Sequence, residues 1–148
     1  MDRTFEILIV EDNPGDARLI QEGLRNCQLS SNTTVTECGA RALAFLNKED
    51  GFKKAPTPDF IILDLNLPRL SGFQVLAKLK QNEIWRDIPV AIFTTSELED
   101  DIHRSYELQA NCYVTKPTGI DEFLDVVKSV TTYWLSTTGE NDSRELPG

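Results

Sequence analysis

The stretch FIILD, residues 60–64, decides how this chain reads. Four consecutive large apolar residues run straight into a carboxylate. A run this short and this uniformly apolar predicts a strand buried on both faces of a parallel sheet; a strand with one wet face would alternate apolar and polar residues. Phe5 to Val10, rich in Ile, Leu and Val, and VAIF at 90–93 have the same character. TTVTE at 33–37 and NCYVT at 111–115 are weaker strand candidates.

Between these runs the apolar spacing is helical. Ala17, Ile20, Leu24 and Cys27 form one stripe, with Pro14 at a first helical position and Asp12 or Asn13 as its cap. Phe73, Leu76 and Leu79 line another helix. SELE at 96–99 reads as a capping box. Thr118 with Asp121 reads as a second box, ahead of a stripe of Phe123, Val126, Val127, Val130 and Trp134. Five strands alternating with five helices predict a doubly wound α/β fold with a five-stranded parallel sheet, right-handed crossovers and helices on both faces. The folded domain is expected over residues 1–135, the last helix ending near Trp134 or Leu135. STTGENDSRELPG, residues 136–148, is expected to be a polar tail.

Composition narrows the class. The chain has 148 residues, of which 40% are apolar and 26% charged, the profile of one soluble globular domain. There is no run of about 18 apolar residues to span a membrane. The start, MDRTFEILIVEDN, lacks the basic opening and cleavage site of a signal peptide. Cys27, Cys38 and Cys112 form no CxxC pair, which argues against a disulfide framework or a zinc site and fits a reducing cytoplasm. A net charge of -9 argues against binding nucleic acid, which needs a basic face.

Ligands of open parallel sheets bind beyond the carboxyl ends of the strands. The expected strand ends carry Glu11-Asp12, Asp64, Thr94-Thr95 and Lys116-Pro117. Three carboxylates gathered there repel one another, each close pair costing on the order of a few kcal/mol. A hard divalent cation relieves this, and Mg²⁺ takes one or two carboxylates while keeping waters for exchange with phosphate oxygens. Asp12 and Asp64 are the expected direct ligands, Glu11 acts through a water, and the backbone carbonyl of Asn66 completes the set. Asp64 is then both a metal ligand and a carboxylate nucleophile. Lys116 and the hydroxyl of Thr94 are placed to hold phosphoryl oxygens, as phosphoryl transfer requires. Thr95 should point the other way.

With those residues in view, the chain resembles the response-regulator receiver domains over roughly residues 5 to 135. Glu11-Asp12, Asp64, Thr94 and Lys116-Pro117, each at a strand end and in this order, carry the likeness. The resemblance implies the flavodoxin-like receiver fold, Asp64 as phosphoacceptor and a sensor histidine kinase as partner. It implies a magnesium site at Glu11, Asp12, Asp64 and Asn66. It also implies Thr94 and Lys116 as the residues that read the phosphoryl oxygens, Tyr113 as the switch aromatic that moves inward when Thr94 shifts, and a cis bond between Lys116 and Pro117. VEDNPGDARLIQE, DLNLPRLSG, FTTSELEDDI and YWLSTTG are similar to the small stand-alone regulators that partner cyanobacterial phytochromes. A phytochrome-type kinase and the absence of an output domain are therefore expected.

Two other readings compete. An aspartate-nucleophile phosphatase of the haloacid-dehalogenase kind would place its nucleophile after the first strand with a second acid two residues on; here Asp64 follows the third and Asn66 stands second. A receiver-like module that binds partners without phosphorylation would not need the full acidic and Lys set. The expectation is thus a phosphoacceptor signalling protein rather than an enzyme. His103, among Asp100, Asp101, Arg104 and Ser105, reads as a solvated helix face. Tyr133, Trp134 and Leu135 are apolar for a helix end, and a symmetric homodimer through helix 4, strand 5 and helix 5 is expected to use them.

Overall fold

The computed structural model describes residues 3–140. Within them, five strands alternate with five helices. The strands are β1 (Thr4–Val10), β2 (Ser30–Thr36), β3 (Phe60–Leu63), β4 (Val90–Thr94) and β5 (Cys112–Thr115). The helices are α1 (Pro14–Arg25), α2 (Gly39–Asn47), α3 (Gly72–Gln81), α4 (Glu99–Glu107) and α5 (Ile120–Glu140). The strands form one parallel sheet in the order β2-β1-β3-β4-β5, the flavodoxin-like doubly wound arrangement.

The sheet has two dry faces because alternate residues of its inner strands serve different helix layers. Leu8, Val10, Ile61, Leu63, Val90 and Ile92 pack with Phe45 of α2 and with Val75, Leu76 and Leu79 of α3. Ile7, Ile9, Phe60, Ile62, Ala91 and Phe93 face Ile20 and Leu24 of α1 and Phe123, Val127 and Leu135 of α5. This is why FIIL and VAIF read as unbroken apolar runs: every residue of β3 and β4 is buried. The outer strand β5 is half-buried throughout. Trp85, in the turn between α3 and β4, is buried against the core edge, and His103 is exposed on α4.

Local chemistry sets two of the helix starts. Asn13 caps α1 through its side-chain oxygen, and Pro14 occupies the first turn. Ser71 and Gln74 form a full capping box on α3. The structure departs from the sequence reading at several places. α4 opens at Glu99 behind an uncapped Leu98, because the groups of Ser96 are bonded elsewhere. α5 runs past Leu135 to Glu140; STTGE contains no proline, so nothing interrupts its hydrogen-bond ladder. Residues 136–140 therefore belong to α5 rather than to the tail, and 141–148 lie outside the described residues. The Lys116–Pro117 bond is trans, not cis. Trans is the default even before proline, and in this form the Lys116 N–H continues the ladder to the Thr94 carbonyl at 2.7 Å. Among the described residues no helix is long and apolar enough to cross a membrane.

Candidate functional site

Three residues stand one position past the end of a strand: Glu11 after β1, Asp64 after β3 and Lys116 after β5. Their backbones still belong to the sheet. Glu11 N–H donates to the Thr36 carbonyl at 3.0 Å, and Asp64 N–H to the Val10 carbonyl at 3.1 Å. Thr94 is the last residue of β4 and is fully buried, whereas Thr95 is exposed. The parallel register therefore aims these side chains at one point beyond the sheet edge.

Carboxylate oxygens of Glu11, Asp12 and Asp64 all lie within 4.8 Å of one another. Glu11 and Asp64 are buried and Asp12 is exposed, so the cluster opens to water on the Asp12 side. On the opposite side the Lys116 ammonium donates to Glu11 Oε1 at 2.7 Å and faces Asp64 Oδ2 at 3.4 Å. It also donates to Asp16 Oδ2 at 2.7 Å. Asp16, in the first turn of α1, was not singled out from the sequence. The only hint available was an acid four residues beyond Asp12, and an acid in a first helical turn is ordinarily explained by the helix dipole.

Four carboxylates against one ammonium leave the site short of positive charge. Burial pushes the Glu11 carboxyl up to about 7; the bond from Lys116 opposes the shift and the nearby Asp64 charge adds to it. Burial disfavours the Lys116 ammonium, but the bonds to Asp16 and Glu11 and the Asp64 charge outweigh it and hold the pKa above the ordinary lysine value. Lys116 is thus charged at neutral pH, and a second cation is still wanted. Oxygens about 2.1 Å from a bound Mg²⁺ lie at most about 4.2 Å apart, so small side-chain adjustments suffice to close this cluster on an ion. Hard oxygen donors with one open side fit a divalent cation that keeps waters.

Asn66 is exposed; its N–H donates to Asp64 Oδ1 at 3.2 Å and its side-chain amide reaches Thr94 Oγ1 at 3.4 Å. It joins the site through its side-chain amide and its backbone N–H. Ser96 connects the site to α4. Its N–H lies 3.4 Å from Thr94 Oγ1, its hydroxyl donates to Asp101 at 2.6 Å, and its carbonyl accepts from the Tyr113 hydroxyl at 2.9 Å. Burial raises the Tyr113 pKa, against the Ser96 bond and with the Asp101 and Asp64 charges, so the hydroxyl stays protonated as a donor. Pro117 is half-buried beside Lys116. Gly72, which opens α3, lies against the Asp64–Leu65 peptide and donates to the Leu65 carbonyl at 3.0 Å.

The three apolar residues Tyr133, Trp134 and Leu135, expected at the helix end, lie within α5 and separate. Tyr133 is 62% exposed, Trp134 is half-buried against the core, and Leu135 is 0% exposed. Leu135 is therefore no interface residue: the helix turn that points Tyr133 outward points Leu135 into the α1–α5 core.

Comparison with known proteins agrees with this geometry. The family described as the response regulator receiver domain matches residues 7–128. The response regulator Rcp1 of Synechocystis sp. is 41% identical over 131 residues, 88% of this chain and 89% of that protein. Among solved structures, the phosphorylated cyanobacterial phytochrome response regulator RcpA superposes with a TM-score of 0.87 at 41% identity, covering 91% of this chain and 96% of that one. The Mn²⁺-bound form of Rcp1 follows with a TM-score of 0.84 at 38% identity, covering 97% and 99%.

Proposed function

This chain belongs to the response regulator receiver domain family and is a phosphorylation-activated regulator of two-component signalling; from that premise we propose that Asp64 is its phosphoacceptor. The observation that carries the proposal is the seat of Asp64, buried between the acidic pair Glu11 and Asp12 and the Lys116 ammonium. A carboxylate oxygen of Asp64 attacks phosphorus while the bond from phosphorus to the donor breaks. Thr94 and Lys116 supply a hydroxyl and a charge for the phosphoryl oxygens. Pro117 shapes the loop that carries Lys116.

Receiver domains bind a divalent metal, and for this chain the ion is Mg²⁺, held by Asp12 and Asp64, by Glu11 through water, and by the Asn66 carbonyl. When bound, it neutralises charge on the transferring group. The Mn²⁺-bound form of Rcp1 supports a divalent site in the family. Tyr113 and Ser96 carry the change at Thr94 to the start of α4. The aspartate-nucleophile phosphatase reading is not favoured, because the family accounts for the whole acidic and Lys set.

The partner is a sensor histidine kinase. The phytochrome response regulators among the relatives support a phytochrome-type light sensor as that kinase. Three unpaired thiols accord with a cytoplasmic protein. A homodimer through α4, β5 and α5 is supported by exposed Tyr106 and Tyr133, with Trp134 beside the latter. The experiment is incubation with acetyl phosphate and Mg²⁺ followed by intact-mass and peptide analysis. One phosphoryl group on Asp64 is expected, and none in Asp64→Asn; labelling of that variant at the wild-type rate refutes the assignment.

A further inference from the structure

We propose that Asp16 is a positioning residue that restrains the Lys116 ammonium in the resting protein and releases it when a phosphoryl group arrives. The inference rests on the reading of Asp64 as phosphoacceptor.

An ammonium has three N–H donors. Lys116 gives two short bonds, both 2.7 Å, to Glu11 Oε1 and Asp16 Oδ2. Its approach to Asp64 Oδ2, at 3.4 Å, is longer than the roughly 2.7–2.9 Å of a full charge-assisted bond. To serve oxygens that arrive on Asp64, the ammonium must move toward them and lengthen one of the short bonds. The two arms differ in what release would cost. Glu11 is 2% exposed, and losing its partner would strand a buried charge. Asp16 is 28% exposed and sits in the first turn of α1, where water and the helix dipole stabilise a lone carboxylate. Asp16 is the arm that lets go.

The restraint is built into the fold as a closed ring of bonds. Lys116 donates to Glu11, the Asn13 N–H donates to Glu11 Oε2 at 3.1 Å, the Asp16 N–H donates to Asn13 Oδ1 at 2.9 Å, and Lys116 donates to Asp16. The cap of α1 and the ammonium are thus one assembly. The backbone of Asp16 is fixed by that cap, while its carboxylate stays free to exchange Lys116 for water.

The test is titration of the full chain with beryllofluoride in saturating Mg²⁺, followed by calorimetry and by ¹⁹F resonances of the bound species. Asp16→Ala should bind the phosphoryl mimic about threefold to tenfold more tightly, the range for losing a partly exposed bond to a charged group. Asp16→Asn keeps an acceptor oxygen and the residue's volume and should fall between. In a Lys116→Met background Asp16→Ala should change the affinity by less than about twofold, which a merely structural role would not produce. Weaker or unchanged binding in Asp16→Ala overturns the inference, as does an equal change with and without Lys116. If Asp16→Ala does not fold, the Asp16→Asn titration decides by the same criterion. A wild-type protein that binds no beryllofluoride refutes the Asp64 reading itself, and is told apart by its failing before any Asp16 variant is compared.

Discussion

Gly72→Ala sets two effects of opposite sign against each other. Alanine is a better helix former than glycine by about 1 kcal/mol, and Gly72 is the first residue of α3. Packing opposes it. A Cβ built on Gly72 would lie 2.6 Å from Leu65 Cα and 3.0 Å from the Asp64 carbonyl carbon, and closer still to the Asp64 carbonyl oxygen. Carbon contacts settle at about 3.5–4.0 Å, so α3 or the Asp64–Leu65 peptide must move by nearly an ångström. The obstacle is backbone, which cannot rotate aside, so the cost belongs at or above the upper end of the roughly 1–3 kcal/mol range for overpacking. The clash wins by about 2 kcal/mol, which lowers Tm by roughly 4–8 °C for a chain of this size. The peptide that shifts carries the proposed acceptor, and misplacement of this order is worth up to about a hundredfold in rate. Thermal unfolding by calorimetry reads the first effect; the rate of phosphorylation from acetyl phosphate, followed by intact mass, reads the second. A variant with wild-type Tm and wild-type rate would refute the claim that glycine is required by this close approach. A lowered Tm with an unchanged rate would show that α3 yields instead of the Asp64 peptide.

Other outcomes follow from the same geometry. With its pKa raised to about 7, Glu11 takes up a proton below neutral pH in the metal-free site, and the cation must displace it there. Divalent-ion affinity should therefore climb with pH, by up to tenfold per unit, and level off above about 7; calorimetric titration that shows a flat profile would contradict it. The sign carries over to stability: a carboxyl whose folded pKa is raised contributes fully below its unfolded value near 4.5 and loses that contribution as pH rises through about 7. Without metal, this group should lower Tm over that window, and Mg²⁺ should restore it. Lys116→Met removes a competing cation and should bind Mg²⁺ at least as tightly as wild type, yet fail to alter α4 on phosphorylation, as hydrogen exchange of that helix would read. Leu135→Ala should cost about 2–5 kcal/mol in denaturant unfolding because its side chain is wholly buried. Tyr133→Ala, exposed, should cost less than about 1 kcal/mol in the monomer and instead weaken self-association in sedimentation.

Much of this protein was legible in order along the chain. The buried runs at Phe60–Leu63 and Val90–Phe93 announced inner parallel strands, since only a strand covered on both faces can dispense with polar residues. The residues just beyond those runs then had to meet at one sheet edge, because parallel strands all end on the same side. That makes Glu11, Asp12, Asp64, Thr94 and Lys116 a single constellation, and Asn13 as cap with Pro14 in the first turn marks the start of α1. What the chain order could not supply was the partner of each group. Ser96 reads as a helix cap by local pattern, but its atoms answer to Thr94, Tyr113 and Asp101, so α4 begins three residues later. Tyr133, Trp134 and Leu135 look alike in sequence, yet α5 continues past them and its 100° per residue turns one to solvent and another into the core. Asp16 was indistinguishable from any acid in a first helical turn until the β5 end brought Lys116 to it across 100 residues of sequence. Local chemistry by itself determined the elements and the edge at which they end. The ion pairs that close that edge join residues far apart in the chain, and only the packed sheet decides which partners Lys116 meets.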